Sequence, residues 1–200
     1  MPARKRISLD RRKVVAKILK QRDDLLLVTG LGAPTWDTAS VEDNPNNFYL
    51  WGGMGGAVLT GLGLALAQPK RRVLVITGDG EMLMGVGGLA TVAVQKPSNL
   101  AICIIDNQRY GETGMQETHT EHGADLAKMA SGAGFQITST VYTAKELSEA
   151  INILYTASGP VFVDIKVTGV SQPMILPPRD GPTLKHRFRE NLLGSVKPHR

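Results

Sequence analysis

Cysteine is nearly absent. Cys103 is the single one, so no internal disulfide is available, and its place inside the apolar run Leu100 to Ile105 reads as a small packed hydrophobe, not a reactive thiol. The same scarcity argues against an iron–sulfur cluster, which needs several thiolates. No apolar run approaches the roughly 20 residues of a membrane span. The basic start, Met1 to Arg6, is followed by neither an apolar leader nor a cleavage site, so a cytoplasmic chain with no membrane partner is expected. The formal charge of +5 sits largely at the two ends, in Arg4, Lys5, Arg6, Arg11, Arg12 and Lys13, and again in Lys185, Arg187, Arg189, Lys197 and Arg200. These residues are not interleaved with aromatics as on a nucleic-acid-binding face, so no nucleic-acid partner is expected either. Internal repeats and interior linkers are also missing, and 200 residues is the size of one compact α/β domain.

What is present is a series of short apolar runs without alternation: Leu25 to Thr29, Val73 to Thr77, Leu100 to Ile105 and Val161 to Val167. Strands buried on both faces of a parallel sheet look like this. Between and after them lie segments of helical length and small-residue content, Met54 to Gln68, Met82 to Gln95, Ala124 to Ala130 and Ala144 to Ala157. Ahead of them Ser8 is placed to cap a surface helix whose apolar positions are Val14, Val15, Ile18 and Leu19. Strands alternating with helices imply an α/β fold, a doubly wound and mostly parallel sheet flanked by helices. The expected organisation is an N-terminal helix packed on the domain (1–22), a ligand-binding domain (23–170) and a C-terminal tail (171–200). That tail is proline-rich and irregular until a short helix near Leu184 to Leu193.

Ligands of such sheets collect at the carboxyl ends of the strands, and the polar, glycine-rich segments fall there: Gly30 to Thr35, Gly78-Asp79-Gly80 and Asp106 to Gly114. Gly78-Asp79-Gly80 ends one strand and opens a helix, which directs a carboxylate and free N–H groups into one small volume. The next strand ends in Asp106-Asn107, beside the first across adjacent strands. Magnesium favours hard oxygens of this kind, one or two from side chains and the rest from phosphate, carbonyl or water. Glycines are frequent after Trp51, at positions 52, 53, 55, 56, 61 and 63. At roughly 1 kcal/mol per interior helical glycine relative to alanine, close packing or close approach to a ligand is the better explanation for them. His119 and His122 stand at i, i+3 without a third metal ligand at matching spacing, and a solvated loop, a substrate-facing role or metal binding all stay open.

Gly78-Asp79-Gly80, the stretch to Asp106, and Asn107 resemble the binding motif of thiamine-diphosphate enzymes, with Asp106 where many members have a first Asn. The resemblance implies thiamine diphosphate and Mg²⁺ as cofactors, the cation held by Asp79, the Asn107 side chain and the backbone carbonyl of Arg109. Tyr49 to Gly55 is similar to the segment that holds the aminopyrimidine in the decarboxylase branch. By that likeness Met54 wedges under the cofactor and enforces its bend, Gly52 offers its carbonyl to the amino group, and Gly53 adjoins them; plain core packing is the competing reading of Met54. Thr29 to Pro34 resembles the diphosphate-contacting turn, so Gly30 and Gly32 join Gly78, Gly80, Glu81 and Tyr110 as expected cofactor-binding residues. Asn47 to Leu50, Gly61 to Ala65, Leu89 to Thr91 and Thr113-Gly114-Met115-Gln116 extend the likeness toward the β subunit of sulfopyruvate decarboxylase and the corresponding domain of phosphonopyruvate decarboxylase.

Complete enzymes of this type also carry a glutamate, on a second domain, that activates the pyrimidine ring. This chain has room for one domain, and glutamates such as Glu112, Glu117 and Glu121 lie in exposed-looking contexts. The resemblance therefore implies a split enzyme: a separate pyrimidine-domain (α) subunit supplies the glutamate, the two form a hetero-oligomer of αβ units, and the substrate is a small 2-oxoacid. A carboligase or acyl-transfer subunit, and a cofactor-binding regulatory module without turnover, remain the alternatives.

Overall fold

The computed structural model describes residues 6–195; Arg4, Lys5, Lys197 and Arg200 lie outside the described residues. In chain order the elements are α1 (Arg11–Leu19), β1 (Leu26–Thr29), α2 (Ala33–Val41), β2 (Asn47–Tyr49), α3 (Ala57–Ala67), β3 (Val73–Gly78), α4 (Asp79–Met84) and α5 (Gly88–Gln95). They continue with β4 (Leu100–Asp106), the short hairpin strands β5 (Arg109–Tyr110) and β6 (Gln116–Glu117), α6 (Leu126–Ala133), β7 (Ile137–Val141), α7 (Ala144–Thr156), β8 (Val161–Lys166) and α8 (Gly181–Leu193). Six strands form one parallel sheet in the order β2-β1-β3-β4-β8-β7. From β1 the chain moves outward to β2 and then returns to β3 on the other side of β1, so a crevice opens at the carboxyl ends of β1 and β3.

Side chains of a strand alternate between the two faces of the sheet, and each face has its own apolar layer. Leu27, Leu74, Ile76, Cys103 and Ile105 pack under α1 and α7, while Val28, Val75, Ile102, Ile104 and Phe162 pack under α3, α5 and α6. Cys103 is fully buried, and burial pushes its thiol well above the ordinary range, which suits an inert packing role. Gly61 lets α3 close onto β3, because a Cβ there would overlap the Val75 side chain.

Several local expectations change. Asp10, not Ser8, caps α1, accepting from the Lys13 N–H at 3.0 Å. The segment Met54 to Gln68 is helical only from Ala57, since Gly53 and Gly55 take positive φ and turn the chain before it. Met82 to Gln95 is broken into α4 and α5 at Gly85, where a Cβ would collide with the Gly55 carbonyl. Strands β2 and β7 and helix α2 were not anticipated. The proline-rich segment after Val170 is irregular as expected, but α8 starts at Gly181, capped by Asp180. It covers the β2 edge through an edge-to-face contact of Phe188 with Phe48 and the Arg187–Asp43 ion pair at 2.7 Å.

Candidate active site

A cleft of about 350 Å³ opens at the crevice between β1 and β3. One wall is the turn from β1 into α2. Gly30 continues the ladder by donating to Ile76 O at 2.9 Å, and Gly32 at φ +83 reverses the chain so that α2 opens on the cleft without a side-chain cap. Such a helix start suits an anionic group. The floor is Gly78-Asp79-Gly80-Glu81, where a Cβ on Gly78 would meet nothing within 4 Å. The hairpin of β5 and β6 folds over from the far side, with Tyr110 on Gly80 and Glu112 against Gly32.

Asp79 is buried at the entrance to α4, and its Oδ2 accepts from the hydroxyls of Thr118 and, at 3.0 Å, Thr120. With Oδ2 taken by neutral donors, Oδ1 is left for a cation. Burial first, and then the Asp106 carboxylate, push Asp79 up to about 6, which is the penalty a bound cation removes. Asn107 and Arg109 line the same cleft. Two successive Asx turns shape their loop: Asp106 Oδ1 accepts from Gln108 N–H and Asn107 Oδ1 from Arg109 N–H, both at 3.0 Å, around a left-handed Gln108. One carboxylate, one amide oxygen and one carbonyl are hard donors that fit magnesium held against a diphosphate. Among the described residues, no group of three or more His, Cys, Asp or Glu side chains could hold a metal, so a zinc-type centre finds no donors here.

Residues 32–165 match the family model described as thiamine pyrophosphate enzyme, C-terminal TPP binding domain. The chain belongs to this family. It is 35% identical over 189 residues to the sulfopyruvate decarboxylase subunit beta of Methanothermobacter thermautotrophicus, covering 94% of this chain and 98% of that one. It is 33% identical over 184 residues to a protein named sulfopyruvate decarboxylase from Methanosarcina acetivorans, covering 91% of this chain but 47% of that one. Among solved structures, benzoylformate decarboxylase from Polynucleobacter necessarius shares the fold, with a TM-score of 0.69 at 20% identity over 82% of this chain and 33% of that chain.

Within this TPP-binding domain the cleft brings together Gly32, Met54, Gly78, Asp79, Gly80, Glu81, Asn107, Arg109 and Tyr110. Gly30 lies just beneath them, and Gly52 and Gly53 stand exposed at the rim, where an added Cβ would meet nothing within 4 Å. Glu81 departs from the expectation of exposed glutamates. It is buried, accepts from Thr77 Oγ1 at 2.7 Å and Ala57 N–H at 3.3 Å, and needs Gly30 to lack a Cβ that its carboxylate would overlap. Its oxygens thus tie the β1 turn, β3 and the start of α3 together. His119 and His122 are exposed, the latter 3.0 Å from Glu117, while the intervening alternation turns Thr118 and Thr120 inward. Those two threonines were missed because the histidines between and beside them carry the stronger sequence signal. Lys166 was missed as well, although a charged residue inside an apolar strand is itself unusual. It is buried on β8, opposite Asp106 in the parallel register.

Proposed function

We propose that this chain is the thiamine-diphosphate-binding subunit of a split 2-oxoacid decarboxylase, working in a cytoplasmic assembly of αβ units on a small 2-oxoacid of the sulfopyruvate or phosphonopyruvate kind. The observation that carries the reading is one of length. The chain spans nearly all of a relative named as a β subunit and under half of one named sulfopyruvate decarboxylase. A name that says subunit beta implies a second subunit, and on this reading that partner supplies the rest of the site. The exposed Gly52 and Gly53, beside half-buried Trp51 and Met54, offer that partner an open glycine-lined rim.

The bound cofactor supplies the nucleophile and the electron sink that decarboxylation of a 2-oxoacid requires. The chain's own residues anchor and orient it. Asp79, the Asn107 side chain and the Arg109 carbonyl would hold Mg²⁺, which would neutralise the diphosphate, and the glycine turns at 30–32 and 78–80 would let backbone N–H groups come close to it. Met54, on the turn ahead of α3, lines the cleft and would support the cofactor in its bent form, and the Gly52 carbonyl would accept from its amino group. Glu81 is already engaged by donors of its own domain, so the ring-activating carboxyl is assigned to the partner. The partner's docking and the cofactor's binding then strengthen one another reciprocally.

The test is turnover by the purified chain, shown by light scattering to contain no other polypeptide, with thiamine diphosphate, Mg²⁺ and a panel of 2-oxoacids. No carbon dioxide should be released until the partner subunit is added. Robust release by the chain alone would refute the split site and turn attention to Glu81, while a condensation product in place of carbon dioxide would identify a carboligase.

A further inference from the structure

Behind the cation site lies a buried charge cluster that the assigned roles leave unused. Asp106 and Lys166 face each other in register at the ends of β4 and β8, and the Lys166 ammonium pairs with Asp106 Oδ2 and, at 2.9 Å, with Asp164 Oδ2. All three side chains are buried. Asp106 Oδ1 accepts from the Gln108 N–H in the loop, and the cluster reaches Asp79 itself through Thr120 Oγ1, which stands 2.9 Å from Asp106 Oδ1 and 3.0 Å from Asp79 Oδ2. A hydroxyl has a single proton and cannot donate to both carboxylates at once.

We propose that Lys166 is a positioning residue of the cation site: by satisfying Asp106 it leaves the Thr120 proton to Asp79, whose Oδ2 is then held and whose Oδ1 is presented to the metal. Without the ammonium, Asp106 is a buried carboxylate that has lost its charged partner, and it competes for the Thr120 proton with Asp79, which still has the Thr118 hydroxyl. Asp79 then keeps Thr118 alone and is free to rotate. Lys166 also offsets part of the charge that an aspartate brings to position 106, although Asp164 shares the same ammonium. The inference rests on the reading of Asp79 as a Mg²⁺ ligand.

Two readouts test it on the full-length chain. In crystal structures without cofactor, Lys166→Met should show Thr120 turned to Asp106 and the Asp79 carboxylate reoriented, and an unchanged Asp79–Thr118–Thr120 arrangement would overturn the proposal. By calorimetry with thiamine diphosphate, Lys166→Met should bind Mg²⁺ about tenfold or more weakly, the usual scale for a residue that orients a metal ligand, and D106N/K166M should return to within about threefold of wild type. A purely structural lysine would leave the affinity of the folded variant unchanged, and a loss that D106N does not rescue would equally overturn the idea. Should Lys166→Met fail to fold, the double variant, which creates no unpaired Asp106 charge, decides alone: restored affinity and Asp79 geometry support the proposal, and a tenfold loss rejects it. Failure of the wild-type chain to bind Mg²⁺ and thiamine diphosphate would count against the proposed function, while the ligand-free structures would still decide what Lys166 does.

Discussion

Two glycines on α3 should respond to alanine with opposite signs. Gly63 is exposed, and a Cβ there meets nothing within 4 Å, so Gly63→Ala gains only helix propensity, about 0.5–1 kcal/mol. Gly61 faces β3, where a Cβ would overlap Val75 and come within 3.6 Å of Leu100 Cδ1. Both neighbours are fully buried. Overpacking a closed core costs about 1–3 kcal/mol, which outweighs the same propensity gain and leaves Gly61→Ala destabilised by roughly 1–2 kcal/mol. At about 2–4 °C per kcal/mol for a chain of this size, thermal unfolding of the cofactor-free chain should show Gly63→Ala raised by roughly 1–4 °C and Gly61→Ala lowered by roughly 2–8 °C. The perturbation also reaches function, because displacing α3 moves the Gly52 to Met54 turn that leads into it, so Gly61→Ala should weaken cofactor binding and Gly63→Ala should not. Equal upward shifts in both variants would refute the argument that Gly61 is there for helix–sheet contact.

Asp79→Ala and Asn107→Ala should each abolish Mg²⁺-dependent thiamine diphosphate binding without unfolding the domain, since each removes a hard donor and no apolar packing; calorimetry showing wild-type affinity in both would sink the metal assignment. Met54→Ala should slow exchange of the cofactor C2 proton, followed by NMR in the partnered complex, more than it weakens cofactor binding, and an unchanged exchange rate would leave Met54 as packing only. Burial, and then Asp106, raise Asp79 to about 6 and Asp164 to about 7. Between about pH 4 and 7 the folded chain therefore keeps protons that the unfolded chain has released, so stability of the cofactor-free chain should fall as pH rises through that window. Asp164→Asn should flatten the upper part of the fall, and a midpoint that climbs steadily from pH 5 to pH 7.5 would contradict these shifts.

The sequence alone determined the parallel core and the strand-end segments that line the cleft. Val73 to Thr77 and Leu100 to Ile105 are apolar on both faces, and Val161 to Val167 is apolar apart from Asp164 and Lys166, a pattern that follows from burial between two helical layers. Gly78-Asp79-Gly80 and Asp106-Asn107 were legible because each is a short covalent unit at a strand end. Strand β2 was not, being the three residues Asn47–Tyr49, nor was β7, whose Ile137–Val141 is polar in the middle and mostly half-buried at the sheet edge. The break between α4 and α5 was missed although Gly85, Gly87 and Gly88 weaken the helix there; what the sequence hid is the close approach of the Gly55 carbonyl to Gly85. The same holds for the surroundings of Asp79. Thr118, Thr120 and Lys166 reach it or Asp106 across wide sequence separations, and a hydrogen bond or ion pair between distant residues leaves no periodicity for a sequence to display. Only the tertiary fold, by setting β8 beside β4 in one register and laying the segment after the hairpin over their ends, decides which proton goes to which carboxylate.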